Sequence, residues 1–482
     1  MASTVPVTAV FDIGKTNKKF LLFNKDYKII HSEQTILDQA EDEDGFPCED
    51  LNLLEDWIKN QLRSVIYSKK FNITTLNFST YGASLVHINE NGEAISPFYH
   101  YLKPYPDDLL KQFYTLYGGQ KKVHLETASP PLGMLNSGLQ LYWLKKSKTS
   151  ILEKIRKSLH FPQYLSYLFT NEYTSELTSI GCHTMLWDFK NNKYHRWLED
   201  EDLLRLLPDS QPNNLTREVS FEQVKFKAGP GIHDSSAALA PYLYAFDEPF
   251  ILISTGTWSI TLNPFNKEPL LFEELQKDCL CFMSIHGEQV KASRFFLGNE
   301  YAHQKKKLDR HFNRNTEEDA QDIDVNPAIL ENLINENNPA KKLELETAYS
   351  SGPCQQDKPG EWNLEKFSSY EEAYHQLMLD LVSIQAESIE LAQGSDKIEK
   401  LIVTGGFSQN DLFVKILASR FPNKKVHTAS LPHASALGAA LVINGVDKEA
   451  ASSLKGLLNY RQHTPFSNSG IERYSWRRTV VP

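Results

Sequence analysis

Twice in this chain the same short grammar appears: an apolar run, a polar turn built around one glycine, and a second apolar run. VFDIGKTNKKFLLF carries it at residues 10–23 and PFILISTGTWSITLNPF at residues 249–265. Turns this short join antiparallel neighbours, because a parallel return needs a crossover of about a dozen residues or more. At 482 residues, the chain also exceeds the ~250–300 residues over which one hydrophobic core keeps growing. The repeat therefore predicts two similar domains, at residues 1–245 and 246–482, whose glycine turns face each other across a cleft.

The flanking pattern sets the class. A third strand is expected around Tyr27 to Thr35. Leu54, Trp57, Ile58, Leu62, Val65 and Ile66 recur at three- and four-residue spacing and predict a helix, and Ile73 to Thr80 reads as a returning strand. A strand meander followed by helix and return predicts an α/β fold with mixed sheets flanked by helices. In the second half, Ser368 and Ser369 with Glu371 and Glu372 form capping-box pairs that open a long helix stopped by Gly394. The strand KLIVTGG, a helix from near Asn410 to before Pro422, and the small-residue helix HASALGAALVIN follow. Residues about 305–362, with EEDAQDID and NENNPAKK, are polar and irregular, and predict an insertion or flap outside the core.

Composition narrows the partners. A formal net charge of -10 argues against a nucleic-acid binder, which needs a basic face to neutralise phosphates. No run approaches the ~20 apolar residues of a membrane span, and the N-terminus reaches a strand without a signal-like segment, so a cytoplasmic protein is expected. The five cysteines lack zinc-type CxxC spacing and read as reduced thiols.

Four stretches carry candidate chemistry. Gly14-Lys15-Thr16 imitates the end of a P-loop, but the upstream position that must be glycine is Ala9, inside a strand, so that reading fails. What remains is a strand-to-strand turn in which Gly14 lets backbone amides approach a phosphate. Thr16 and Asn17 add neutral donors there, and Lys15, Lys18 and Lys19 add charge. Asp12 would repel a phosphate unless Mg²⁺, held largely through water, lay between them; an Asx-type turn with surface lysines is the plain alternative. The second turn, Ser254-Thr255-Gly256-Thr257-Trp258-Ser259, has hydroxyls and no acid, and suits either a second phosphate clamp or a simple hairpin. Gly405 and Gly406, at the end of a strand, let a flat ligand lie on the backbone, while Asn410 can cap a helix or bond a nucleoside. In GPGIHDSSAAL, Asp234 stands where a loop enters a helix, whose dipole would keep it ionised. It reads either as a proton acceptor for an attacking hydroxyl or as an N-cap.

In this order the stretches resemble the FGGY carbohydrate kinases, a family within the actin-like ATPase superfamily, over nearly the whole chain. FDIGKTNKK is similar to the first phosphate motif, GIHDSSAAL to the acceptor-base motif, STGTWS to the second phosphate motif, VTGGFSQND to the adenosine motif and HASALGAAL to the closing helix. STYGASLVHINENGEAISP and LFTNEYTSELTSIGCHT are similar as well. The resemblance implies two actin-like (ribonuclease H-like) domains and ATP-dependent transfer of a γ-phosphoryl to a small sugar, with Mg²⁺ as cofactor. It implies that Asp234 is the catalytic base and that Asp12 and Asp234 orient Mg²⁺, with Lys19 beside the transferring phosphate. Gly14, Lys15, Thr16, Asn17, Thr255, Gly256, Thr257, Gly405, Gly406 and Asn410 would hold the nucleotide. Lys19 stands where many relatives carry arginine, which keeps the charge and loses the planar fork. STGTWS and the His233-Asp234 pair look most like those of kinases of deoxy-ketoses such as L-rhamnulose or L-fuculose. The aspartate-arginine element of many relatives is replaced by FYHYLKPYPDD, which makes Tyr81, Gly82, His100, Tyr101 and His233 the candidate sugar contacts. An inactive nucleotide-binding sugar sensor and an actin-like assembly or chaperone module are the rival readings. A monomer or homodimer without nucleic-acid or membrane partners is expected.

Overall fold

The computed structural model describes residues 4–314, 323, 325–345, 359–395, 397–466, 470–475 and 477–478. Its contacts divide the chain into two compact units. The first comprises Met1–Asp247 together with Cys281–Gln289 and Pro432–Leu454, and the second the remainder. The closing helix, Ala434–Asn444, falls in the first unit and not in the second half, where sequence order had placed it. Both units are mixed α/β, a sheet of parallel and antiparallel strands flanked by helices.

In the first unit, β1 (Val5–Ile13), β2 (Lys18–Phe23) and β3 (Ile29–Thr35) form the predicted meander. After the short hairpin β4 (Gln39–Glu41) and β5 (Pro47–Glu49), α1 (Leu51–Ser68) follows, and then β6 (Phe71–Thr80), which pairs parallel with β1. α1 starts because the Asp50 carboxylate accepts from the backbone of Asn52 and Leu53. It buries Leu54, Ile58, Leu62 and Val65, one face at helical spacing. The short strand Ile232–His233 adds to the other side of β6, also parallel.

The small residues of HASALGAAL have a packing reason. Helix Ala434–Asn444 lies against helix Asp234–Ala245 so closely that a Cβ on Gly438 would come within 1.8 Å of the Ala237 carbonyl oxygen. Asn77, buried in β6, holds both arrivals: its amide donates to Ala439 O at 2.8 Å and its carbonyl accepts from Gly231 N at 3.0 Å.

In the second unit, Phe250–Thr255 pairs antiparallel with Ser259–Asn263 and parallel with Lys400–Gly405, so the strand-turn-strand unit recurs as predicted. Helix Tyr370–Gln393 is capped by Ser369, whose side chain accepts from Glu372 N, and ends at Gly394 with φ of 64°. Ser259 donates to Gln385 at 2.5 Å, tying the sheet to this helix.

The segment about 305–362 departs from its expectation. Its start continues the helix Leu297–His311, and Asn326 caps a further helix, Pro327–Glu336, which buries Leu330 and Leu333 in the core of this unit. Leu330 and Leu333, three residues apart, with Ile329 and Ile334 partly buried beside them, dock this short helix within a segment that is polar elsewhere. Residues 315–322, 324 and 346–358 lie outside the described residues. Among the described residues no helix is long and apolar enough to cross a membrane. Cys48, Cys182 and Cys279 are buried thiols, and Cys354 lies outside the described residues.

Candidate active site

Three chain segments end at the same edge of the first unit's sheet, because β1, β6 and Ile232–His233 run parallel. β1 delivers Asp12, β6 runs on into Tyr81 and Gly82, and the third strand runs into Asp234. Carboxyl ends of parallel strands are where sheets of this kind bind ligands.

Asp12 is opposite Lys19 in the hairpin register, and the Lys19 ammonium stands 3.9 Å from its carboxylate. The hydroxyl of Ser435, from the closing helix, donates to Asp12 Oδ1 at 2.9 Å. Burial raises the Asp12 pKa above the ordinary carboxylate range; Lys19 and Ser435 oppose the rise, and the like charge of Asp234 adds to it. The two acids are therefore within electrostatic reach of each other. His433, in the left-handed region at φ 57°, precedes the same helix and lowers toward neutrality under burial and the Lys19 charge.

Asp234 is the first residue of helix Asp234–Ala245, and the capping position is His233, so Asp234 does not act as an N-cap. Burial lifts its pKa to about 6, against a hydrogen bond from Ser235. Desolvation thus outweighs the helix dipole in setting the pKa, and the carboxylate still stays mostly ionised at neutral pH. His233 is held neutral by burial, its pKa lowered to about 3. Its Nε2 lies 3.2 Å from Asp234 Oδ1; a carboxylate brings no proton to that contact, so the imidazole must donate. The backbone N–H of His233 donates to Thr178 Oγ1 at 3.1 Å. Gly82 packs against this histidine: a Cβ there would meet Cys182 Sγ at 2.4 Å and His233 Cδ2 at 2.9 Å. The arrangement offers an oriented, partly desolvated carboxylate beside a second one, the donor set for a small hard cation that keeps most of its waters. Among the described residues, no group of three or more His, Cys, Asp or Glu side chains forms a fuller metal cage.

The hairpin turn itself is organised from beneath. Lys18 is only 2 % exposed, and its ammonium donates to Gly14 O, Lys15 O and the Glu49 carboxylate at 2.9–3.2 Å. Gly14 N–H closes the turn on Asn17 O at 3.0 Å. Thr16 and Asn17 are exposed on it. Glu49, Ser435 and His433 were not singled out by the sequence. Ser435 lay inside a recognised motif, whereas Glu49, in the unremarkable GFPCEDL, gave no signal.

The second unit gathers the other predicted contacts. The Thr255 hydroxyl donates to Thr404 O at 2.5 Å and accepts from Phe407 N at 3.0 Å, so it ties two strands and has no hydrogen left to offer. Gly256 and Thr257 are exposed on the turn, closed by Gly256 N to Trp258 O at 2.8 Å. Gly298, at the start of helix Leu297–His311, approaches so near that a Cβ would lie 2.0 Å from Gly256 O. Gly405 has φ of 85°, and a Cβ on it would collide with Thr255 O at 1.8 Å; Gly406 opens to free space. Asn410 does cap: Oδ1 accepts from Phe413 N at 2.9 Å, and its amide donates to Tyr374 Oη at 2.8 Å. Asn410 and Tyr374 line a cavity of about 370 Å³ with Gln409 and Lys415.

The model of the FGGY family of carbohydrate kinases, N-terminal domain, matches residues 7–202, and that of the carbohydrate kinase FGGY C-terminal domain matches residues 247–452. A rhamnulokinase of Oceanobacillus iheyensis is 26% identical over 227 residues, covering 45% of this chain and 47% of that protein. One of Bacteroides thetaiotaomicron is 27% identical over 199 residues, covering 39% and 40%. The chain spans about half the length of the curated relatives it matches. A carbohydrate kinase from Novosphingobium aromaticivorans superposes with a TM-score of 0.76 at 22% identity, over 96% of this chain and 95% of that one. A ligand-bound xylulose kinase from Lactobacillus acidophilus does so with 0.77 at 15%, over 97% and 95%. At these identities the structures speak for the fold alone.

Proposed function

Since the chain belongs to the FGGY family of carbohydrate kinases, we propose that it transfers the γ-phosphoryl of MgATP to a hydroxyl of a small sugar. The observation that carries this is Asp234, a carboxylate lifted to about 6 and oriented by a neutral histidine 3.2 Å away. At neutral pH it is mostly ionised, and it is basic enough to take a proton from a hydroxyl as the phosphoryl arrives. Asp12 and Asp234 would hold the Mg²⁺, through water. When bound there, the ion would supply neutralisation of the charge that builds on the phosphoryl oxygens.

Lys19 adds a cation beside Asp12, and Thr16 and Asn17, exposed on the turn that Gly14 closes, offer backbone and side-chain donors. Exposed Thr257 and Gly256, and the Gly405-Gly406 turn with Asn410, are the proposed nucleotide contacts of the second unit. Such chemistry depends on positioning and electrostatics far more than on covalent work by the protein.

The acceptor we favour is a ketose or deoxy-ketose such as L-rhamnulose or L-fuculose, on the strength of the rhamnulokinase likeness. The test is ADP release from ATP on addition of single ketoses, polyols and deoxy-sugars. Sugar-dependent ADP formation that needs Mg²⁺ is expected. Binding of ATP and sugar with no turnover of any member would replace the kinase by a sensor.

A further inference from the structure

Two lysines of one turn serve different neighbours. Lys19 reaches Asp12. Lys15 leans the other way: its ammonium donates to Glu49 Oε1 at 3.1 Å and stands 5.7 Å from the Tyr81 ring centre and 5.9 Å from that of Tyr101.

Glu49 is 6 % exposed, and its oxygens are heavily used. Oε1 accepts from Lys15 and Lys18, Oε2 lies 3.0 Å from Lys18, and the Tyr81 phenol leans on the same carboxylate. A carboxylate so engaged is a holder for Lys15 more than a contact for a newcomer. The holder is itself braced, since the turn joining β4 to β5 is pinned by Lys103, which bonds Asp42 and Asp44. An ammonium carries three N–H donors, and Glu49 accounts for one of Lys15's.

The neighbours of Lys15 are donors too. His100 Nδ1 accepts from Leu102 N at 2.9 Å, which leaves the ring proton on Nε2. Burial and the Lys15 charge keep that ring neutral, its pKa lowered to about 4. Tyr101 keeps its phenolic hydrogen, its pKa raised to about 12 by burial and by the charges of Asp234 and Glu49. Tyr101 thus packs on Lys15 and His100, with ring centres 4.9 Å apart for the two rings, and lies within electrostatic reach of the proposed base. An ammonium, an imidazole N–H and a phenol beside a candidate base make a wall of hydrogen-bond donors.

The geometry points to Lys15, with His100 and Tyr101, as an acceptor-reading element that selects small hydroxylated substrates bearing a proton-free oxygen, a carbonyl or a carboxylate. The inference rests on the kinase reading above, and it moves Lys15 from the nucleotide to the sugar. A hydroxyl at the same place can accept as well, but it attracts an ammonium less than a carbonyl or carboxylate does, and neither the Lys15 ammonium nor the His100 imidazole N–H can receive its hydrogen. The carbonyl of a ketose and the carboxylate of a sugar acid share the required chemistry.

The experiment compares L-rhamnulose, L-rhamnitol and L-rhamnonate, which differ at the carbonyl, hydroxyl or carboxylate, by calorimetric binding to the full chain without nucleotide. The wild type is expected to prefer the ketose or the acid over the alditol on the order of 10- to 100-fold, the size of a charge-assisted hydrogen bond. Which of the two is preferred tells carbonyl from carboxylate. Lys15→Met should abolish the preference while the KM for ATP stays near the wild-type value. Equal binding of all three, binding of none, or a Lys15→Met variant that raises the KM for ATP and keeps the preference would overturn the assignment. The wild-type comparison decides even if the substitution distorts the turn. A preference without phosphoryl transfer would support the acceptor site and remove the kinase reading, whereas transfer without preference would remove only the inference.

Discussion

The two glycine turns share a backbone plan and differ in almost every side-chain property. At residues 12–19 the turn is braced by charge: Asp12 with Lys19 and Ser435, and Lys18 buried beneath with Glu49. At residues 254–259 it is braced by neutral groups, Thr255 between Thr404 and Phe407, Ser259 on Gln385, and Gly298 pressed against Gly256. The difference teaches that one supersecondary unit can be specialised by its surroundings. Where acids and amines meet, the turn carries paired, titratable charge; where hydroxyls and glycines meet, it offers neutral donors and shape.

The largest test of that contrast is Asp234→Asn. Turnover should fall by ~10² to 10⁴, the usual effect of a lost general base, while circular dichroism and nucleotide binding stay as in the wild type. A folded variant with near-normal kcat would return the two turns to equal standing.

Acidification should act in the same place. Burial raises the Asp234 pKa to about 6, and the working form is the deprotonated one, so kcat/KM is expected to fall as pH drops through about 6 and to level off above it. A profile flat from pH 5 to 8 in a folded enzyme would exclude this base.

On the neutral side, Thr257→Val and Thr255→Val should part company. Thr257 is exposed on the turn, so its loss should weaken ATP affinity or turnover by about 1.5–3 kcal/mol, one hydrogen bond to a charged group, with Tm unchanged. Thr255 is bonded internally, so its loss should lower stability by about 1–3 kcal/mol, read by denaturant unfolding. Swapped outcomes would invert the roles drawn for the two threonines.

A further expected effect concerns stability alone, at a buried acid with no proposed chemistry. Asp380 accepts from Leu343 N, Gln376 and Tyr474 Oη, yet burial raises its pKa to about 6. Its folded pKa lies above the unfolded value, so the fold binds this proton more tightly. The associated stability is fully present below about 4 and is lost as pH rises through about 6, on the order of 2–3 kcal/mol. Asp380→Asn should flatten the stability of the second unit between pH 4 and 6. An unchanged slope would mean that its three donors already keep the carboxylate charged.

Much of this was readable from residue order. The repeated strand-turn-strand unit, the α1 periodicity, the caps at Asn410 and Ser369, and the stop at Gly394 are local features, set by spacing and by single backbone groups within a few residues. The order of the motifs likewise named Asp12 and Asp234. Other facts depended on distance in space. Nothing in GFPCEDL marked Glu49 as the partner of Lys15 and Lys18, because 31 to 34 residues separate them and only the β4–β5 hairpin brings them together. Ser435 reaches Asp12 across 423 residues, since its helix returns to pack on β6 and β1. Residues about 305–362 looked structureless because their few leucines become a core only once a partner helix exists to bury them. The upward shift of the Asp234 pKa was hidden for the same reason: the helix dipole belongs to local sequence, whereas desolvation belongs to everything packed around the residue. Sequence alone determined which chemical groups this protein has and which strands and helices present them. Tertiary structure decided which groups are neighbours and how dry they are, because burial and long-range contact exist only after the chain has closed on itself.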